Sequence, residues 1–110
     1  MNNAVSRETH DEYVLVRLSG EVDLSWSQQV RQEVLAALEQ SNAVAVELSE
    51  VSYIDSSGIA ALVEGFQNAR GKSQQFVLIA VSTAVRAVLE LARLDRVFLL
   101  FPDLETARRG

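Results

Sequence analysis

The stretch Val51-Ser52-Tyr53-Ile54-Asp55-Ser56-Ser57-Gly58-Ile59 decides how this chain folds. A largely apolar run gives way to an acid and two adjacent hydroxyls, and Ile59, Leu62, Val63 and Phe66 then recur with helical spacing. Asp and Ser at such a junction are helix-start residues, because their oxygens accept from the orphan N–H groups of the first turn. The same spot is electropositive, so an anion is tolerated there. A phosphate on Ser56 or Ser57 would add roughly −1.5 to −2 charges beside Asp55 and could act as a switch. The plainer alternative is that both serines only cap the helix.

Working outward, residues 13–18 (Tyr-Val-Leu-Val-Arg-Leu) read as a strand that Gly20 ends or bends. Residues 4–8 form a weaker strand, with His10-Asp11-Glu12 as the turn of an N-terminal hairpin. A helix is expected from Leu24, opened by a capping box of Ser25 and Gln28. Trp26, Val30, Val34 and Leu38, with Leu35 alongside, make its apolar stripe, and Ser41-Asn42 stops it. Residues 43–48 alternate as a strand. After the second helix, Gly71 stands where a terminating glycine belongs. Phe76-Val77-Leu78-Ile79 is a continuous apolar run, as for a strand covered on both faces. Ser82-Thr83 caps a third helix carrying Val85, Val88, Leu89 and Ala92. Residues 97–101 are the last strand, Pro102-Asp103 turns the chain, and residues 104–108 make a final helical turn or two.

The order is β-β-α-β-α-β-α-β-α. Strands alternating with helices imply crossover connections and parallel pairing beyond the first hairpin. The expectation is a single α/β domain over residues 1–110, a mixed sheet of four to five strands with about four helices.

Composition bounds the function. The chain has 110 residues, 48% of them hydrophobic, enough for one core. No apolar run reaches the ~20 residues of a membrane span. Met1-Asn2-Asn3 lacks the start of a signal peptide. Without cysteine there is no disulfide or thiolate metal site. A cytoplasmic location fits these features. The net charge of −5 argues against nucleic acid as a partner.

Catalysis is poorly supplied. His10 is the only histidine and falls in a predicted turn. Lys72, the only lysine, lies at the far end of the helix that begins near Ser57, roughly 20 Å away at 1.5 Å per residue. Ser56 has the strand-turn-helix setting of a hydrolase nucleophile but not its Gly-x-Ser-x-Gly frame. Phosphate-binding glycine loops are missing as well, so any kinase acting on Ser56 is another protein. No catalytic residue and no cofactor are expected. Asp23 and Asp55 both follow predicted strands, at the edge where sites collect in such sheets. Together they could hold Mg²⁺, or else serve as a turn and a helix-start residue; the second reading is favoured, and no metal site is expected. Trp26 is either an exposed aromatic anchor for a partner or the first rung of its helix stripe.

Gly20-Glu21-Val22-Asp23, then a helix, then the Val51–Ile59 stretch resemble the STAS domain, specifically the bacterial anti-sigma-factor antagonists. The later Val85-Arg86-Ala87-Val88-Leu89-Glu90-Leu91-Ala92-Arg93-Leu94 resembles the family's third helix and the turn after it. The likeness spans about residues 5–107. It implies that the unphosphorylated protein binds an anti-sigma factor, a serine kinase with a GHKL-type ATP site, and frees the sigma factor. The kinase then phosphorylates the serine after the Asp, here Ser56, and the complex parts; a PP2C-type phosphatase resets it. Carried over by position, Asp55 orients Ser56 or repels its modified form, Asp23 lines the same edge, and Ser57, Gly58 and Ile59 form the contact surface. Gly58, lacking a side chain, would let a partner backbone approach. Trp26, placed with the partner-binding residues, stands where the family more often has small residues. Nothing demands more than a monomer. Other STAS domains serve transporter complexes or signalling scaffolds by protein binding without phosphorylation. Those often lack the serine, so Ser56 favours the phospho-switch.

Overall fold

The central strands are built from β-branched and leucine residues that can be covered on both faces, and they carry the rest of the molecule. The computed structural model describes residues 3–10 and 12–109; Asp11, the middle of the expected hairpin turn, lies outside the described residues. The elements are β1 (Ala4–His10), β2 (Tyr13–Val22), α1 (Ser27–Gln40), β3 (Ala43–Ile54), α2 (Ser56–Gly71), β4 (Gln75–Ile79), α3 (Thr83–Leu91), a 3₁₀ turn (Leu94–Arg96), β5 (Leu99–Phe101) and α4 (Leu104–Arg109). They form a single α/β domain whose five-stranded sheet has the order β1-β2-β3-β4-β5. β1 and β2 are antiparallel, and each later strand is parallel to its neighbour.

Alternation along the strands splits the core in two. Val14, Val16, Leu18, Val44, Val46, Leu48, Phe76 and Leu78 pack on one face with Val30 and Val34 of α1, Leu62 of α2, and Val85 and Leu89 of α3. Tyr13, Leu15, Ala43, Ala45, Val77 and Ile79 point the other way and meet Ala107 of α4. Three helices therefore cover one face and the short last helix covers the other. Gly65 lets α1 and α2 close on each other, since a Cβ there would lie 2.5 Å from Val34 Cγ1.

Several boundaries differ from those expected, each for a local reason. Gly20 does not end β2: it sits at φ 92° while the strand runs on to Val22. β3 continues to Ile54 and carries one extra residue at each of two irregularities, between the Arg17/Glu47 and Ser19/Glu50 pairs and between Gly20/Val51 and Glu21/Tyr53. The capping box at Ser25 and Gln28 does not form, because Ser25 is hydrogen-bonded to Asp23 and α1 starts only at Ser27. Gly71 is the last residue of α2; the left-handed residue beyond it is Ser73, at φ 57°. Ala92 lies just past the end of α3. The final strand is shortened to Leu99–Phe101, since Arg93 at φ 60° starts a 3₁₀ turn whose Leu94 carbonyl accepts from the Val97 and Phe98 amides.

Candidate functional site

β2 and β3 end side by side, with Val22 opposite Ile54 and the Asp55 amide donating to the Val22 carbonyl at 3.2 Å. Both strands then enter the same local structure. After β2, Asp23 Oδ1 accepts from the Ser25 amide at 3.0 Å and the Ser25 hydroxyl at 2.6 Å. After β3, Asp55 Oδ1 accepts from the Ser57 amide at 2.9 Å and the Ser57 hydroxyl at 2.6 Å. Asp55 Oδ1 also takes the Gly58 amide at 3.2 Å, which makes Asp55 the cap of α2. These are twin Asp-x-Ser turns at the carboxyl edge of neighbouring parallel strands. Each presents its middle residue, Leu24 in one and Ser56 in the other, to solvent.

The two turns are joined electrostatically. The Ser57 hydroxyl above all, with the Gly58, Ser57 and Leu24 amides, holds the Asp55 carboxyl below the usual carboxylate range; partial burial opposes this without overcoming it. Asp55 is thus an anion committed to the helix start. Ser57 is half-buried and its hydroxyl is spent on that anion. Ser56 differs from it. It is the first residue of α2, exposed, with no hydrogen bond to its hydroxyl among the described residues.

Other expected site residues turn inward. A Cβ on Gly58 would fall 2.7 Å from Ile54 Cγ1, 2.7 Å from Val22 Cγ1 and 2.8 Å from the Val22 carbonyl oxygen. The close approach that glycine permits is therefore by the domain's own strands, not by an outside backbone. Ile59 is 9% exposed and belongs to the core, so its side chain offers little contact surface. Trp26 is 7% exposed and packs as the first rung of the α1 stripe, which corrects the reading of it as an exposed anchor. Asp23 and Asp55 are found as turn and helix-start residues, each engaged with its own serine rather than facing the other across a metal. Among the described residues, no three or more His, Cys, Asp or Glu side chains are grouped to hold a metal ion.

The remaining catalytic candidates are remote. His10 pairs with Glu8 at 2.9 Å and lies opposite Tyr13, at the far end of β2. From Tyr13 to Val22 that strand spans about 30 Å at ~3.3 Å per residue. Lys72 caps the other end of α2, about 24 Å from Ser56 along the axis. What the residue pattern missed is Leu24, 77% exposed, and Tyr53, 49% exposed and opposite Glu21. The signal was the repeated Asp-x-Ser after two strands, which marks Leu24 as the counterpart of Ser56.

Such an element order, with its polar chemistry gathered at the carboxyl edge of parallel strands, defines a class: a small mixed-sheet α/β domain with an acid-capped, serine-bearing helix start. The chain belongs to the STAS domain family, whose model matches residues 4–107. It is similar to the anti-sigma F factor antagonist of Paenibacillus polymyxa, 25% identical over 105 residues that cover 94% of this chain and 90% of the relative. Among solved structures it resembles an anti-sigma factor antagonist from Mycobacterium paratuberculosis, with a TM-score of 0.88, 28% identity, and coverage of 98% and 92% of the two chains. The fold is also that of the Bacillus cell fate determinant SpoIIAA in its phosphorylated form, at a TM-score of 0.74 and 23% identity over 96% and 97% of the chains.

Proposed function

We propose that this protein is an anti-sigma factor antagonist that works by partner switching. In its unphosphorylated form the edge carrying Asp23, Leu24, Asp55 and Ser56 docks on an anti-sigma factor, a serine kinase of the GHKL type, and releases the sigma factor. Phosphorylation at Ser56 ends the binding, and a PP2C-type phosphatase restores it. The protein acts through its surface as a cytoplasmic monomer and not as an enzyme.

The observation that carries this reading is the contrast between two adjacent serines. Asp55 caps α2 through the Ser57 and Gly58 amides and binds the Ser57 hydroxyl, which leaves Ser56 Oγ exposed and unengaged. A phosphate there sits on the helix N-terminus, where the domain tolerates it. It also sits beside Asp55, where a closely packed partner would meet added negative charge that must be desolvated. The test is binding of Ser56→Ala and Ser56→Asp to the cognate kinase, with intact-mass analysis of the protein from its native host. The alanine variant is expected to stay bound and the aspartate variant to bind poorly. Equal binding by both, with no phosphate on the peptide spanning residues 55–58, would overturn the switch in favour of a scaffold that binds without phosphorylation.

A further inference from the structure

The ten cations of the chain fall into two groups. Arg7, Arg17, Arg31, Arg108 and Arg109 each pair with a glutamate. The other five, Arg70, Lys72, Arg86, Arg93 and Arg96, are exposed, and their side chains have no ion pair or hydrogen bond among the described residues. All five lie between residues 70 and 96, where only Glu90 and Asp95 oppose them. Five cations against two acids leave +3 there, so the rest of a chain of net −5 carries −8. Three of the five exposed large hydrophobic side chains among the described residues fall in or just after the same stretch: Leu91, which is 87% exposed, Val97 and Leu99. Single leucines on a surface are ordinary, but apolar groups set together among unpaired cations mark an interaction site.

The fold gathers this stretch at one end of the molecule. α2 and α3 both run back to the amino end of a parallel strand, β4 and β5 in turn. The segment between α3 and β5 folds onto itself, the Leu94 carbonyl accepting from the Val97 and Phe98 amides at 3.0 Å each. Phe98 anchors it, its ring 5.6 Å from that of Phe66 in α2 and 6.4 Å from that of Phe76 in β4. Arg70 and Leu99 accordingly border one depression. Helix-end electrostatics favours a cation at the close of α2 and of α3, but gives no reason for Arg86 within α3 or for the exposed apolar side chains.

We propose that this end of the molecule is a docking surface for an anionic phospholipid bilayer, the cations lying among the headgroups and Leu91, Val97 and Leu99 entering the interface. Cations beside exposed apolar side chains are the composition that holds proteins at such surfaces. The apolar groups come from a helix end, a turn and an edge strand of three residues, so they offer neither a helical stripe nor a strand edge long enough for a protein segment to add to. A bilayer takes them in any order. The acidic edge does not oppose the approach: Ser56 is about 21 Å from Arg70 along α2, more than twice the ~8 Å over which charges are felt at physiological salt. The surface therefore stands apart from the phosphorylation reading, and docking through it leaves Ser56 turned away from the bilayer.

The test is co-sedimentation of the full chain with vesicles of phosphatidylcholine alone and of phosphatidylcholine containing about a third phosphatidylglycerol. Binding is expected only to the anionic vesicles and should weaken as salt is raised. Arg70→Gln combined with Arg96→Gln should weaken it about thirtyfold, and Leu91→Ser about tenfold. All three positions are exposed, and amide spectra of the variants check that the fold is kept. Equal binding to both kinds of vesicle, or undiminished binding by either variant, overturns the proposal. So does failure to bind the anionic vesicles, and two controls then name the occupant. Poly-glutamate bound in their place points to an acidic protein; self-association in sedimentation velocity, lost in the arginine variant, points to a second copy.

Discussion

Asp55 concentrates the physics of the site in one carboxylate. It caps α2, binds the Ser57 hydroxyl, and by taking those donors leaves Ser56 unengaged. Its pKa is depressed in the folded state, chiefly by the Ser57 hydroxyl, relative to an ordinary value of 3.8. A group of this kind adds stability at pH above its unfolded pKa, and that stability is lost as pH falls through the lower folded pKa. The expectation follows for Asp55→Asn, which keeps the acceptor oxygen but does not titrate. Near neutral pH the variant should be less stable by a few tenths to about 1 kcal/mol, the exposed-site value of an anion at a helix start, already reduced by solvent screening. The gap should close below about pH 4. Asp103, held low in the same direction by the Thr106 amide, and Glu8, held low by its hydrogen bond to His10, are present in both proteins and cancel from the difference. Urea unfolding of the two proteins from pH 7 to pH 2 measures it. A gap that is constant with pH would mean that the charge on Asp55 contributes nothing to the helix start.

Between elements, the tightest constraint is the α1–α2 contact at Gly65. An added methyl would stand 2.5 Å from Val34 Cγ1 and 3.1 Å from Phe76 Cε1, so the Val34 side chain or one of the helices must shift. Gly65→Ala should therefore destabilise by about 1–3 kcal/mol, as overpacked cores do, although alanine is the better helix former. Val34→Ala alone should also destabilise, by opening space. Combined, the two should recover part of the loss, a coupling of about 1 kcal/mol or more in a double-mutant cycle from urea midpoints. Strict additivity would show that the helices do not meet at that point. The apolar stripes of α1, α2 and α3 and the unbroken run of β4 were legible in the sequence because burial imposes their periods. The ends of elements were less so, because they depend on which side chain captures which donor. Asp23 takes Ser25 and delays α1; two extra residues in β3 break the alternation that would have revealed its length; Ser73 adopts the left-handed turn two residues past a glycine that could have. At the site, the Asp-Ser-Ser-Gly junction was readable, whereas the inward packing of Gly58 required knowing that Val22 lies beneath it, and that of Ile59 that it joins the core. Leu24 went unnoticed because one apolar residue ahead of a helix stripe looks like part of the stripe.

For the molecule as a whole, the question is where a phosphate on Ser56 would be read. The chain already carries a net charge of −5, and the modification adds roughly −1.5 to −2 more. Ser56 is exposed, its hydroxyl holds nothing together, and it opens a 16-residue helix whose dipole favours an anion at that end. Asp55 keeps its donors whether or not Ser56 is modified, because none of them comes from Ser56. The added charge therefore has no internal contact to break, and the five-stranded sheet and its two cores should be unchanged. A loss of about 100-fold in affinity for a partner requires roughly 2.7 kcal/mol, which must then be generated within the interface and not by refolding of this domain. The phosphorylated protein should unfold within about 1 kcal/mol of the unmodified form, with amide shifts limited to Leu24 and residues 55–59, while binding to the kinase is lost. Urea denaturation and amide-resolved NMR on the two forms decide this. Shifts reaching β4 or α4, or a stability change of several kcal/mol, would mean that the switch is conformational and that the fold itself carries the signal.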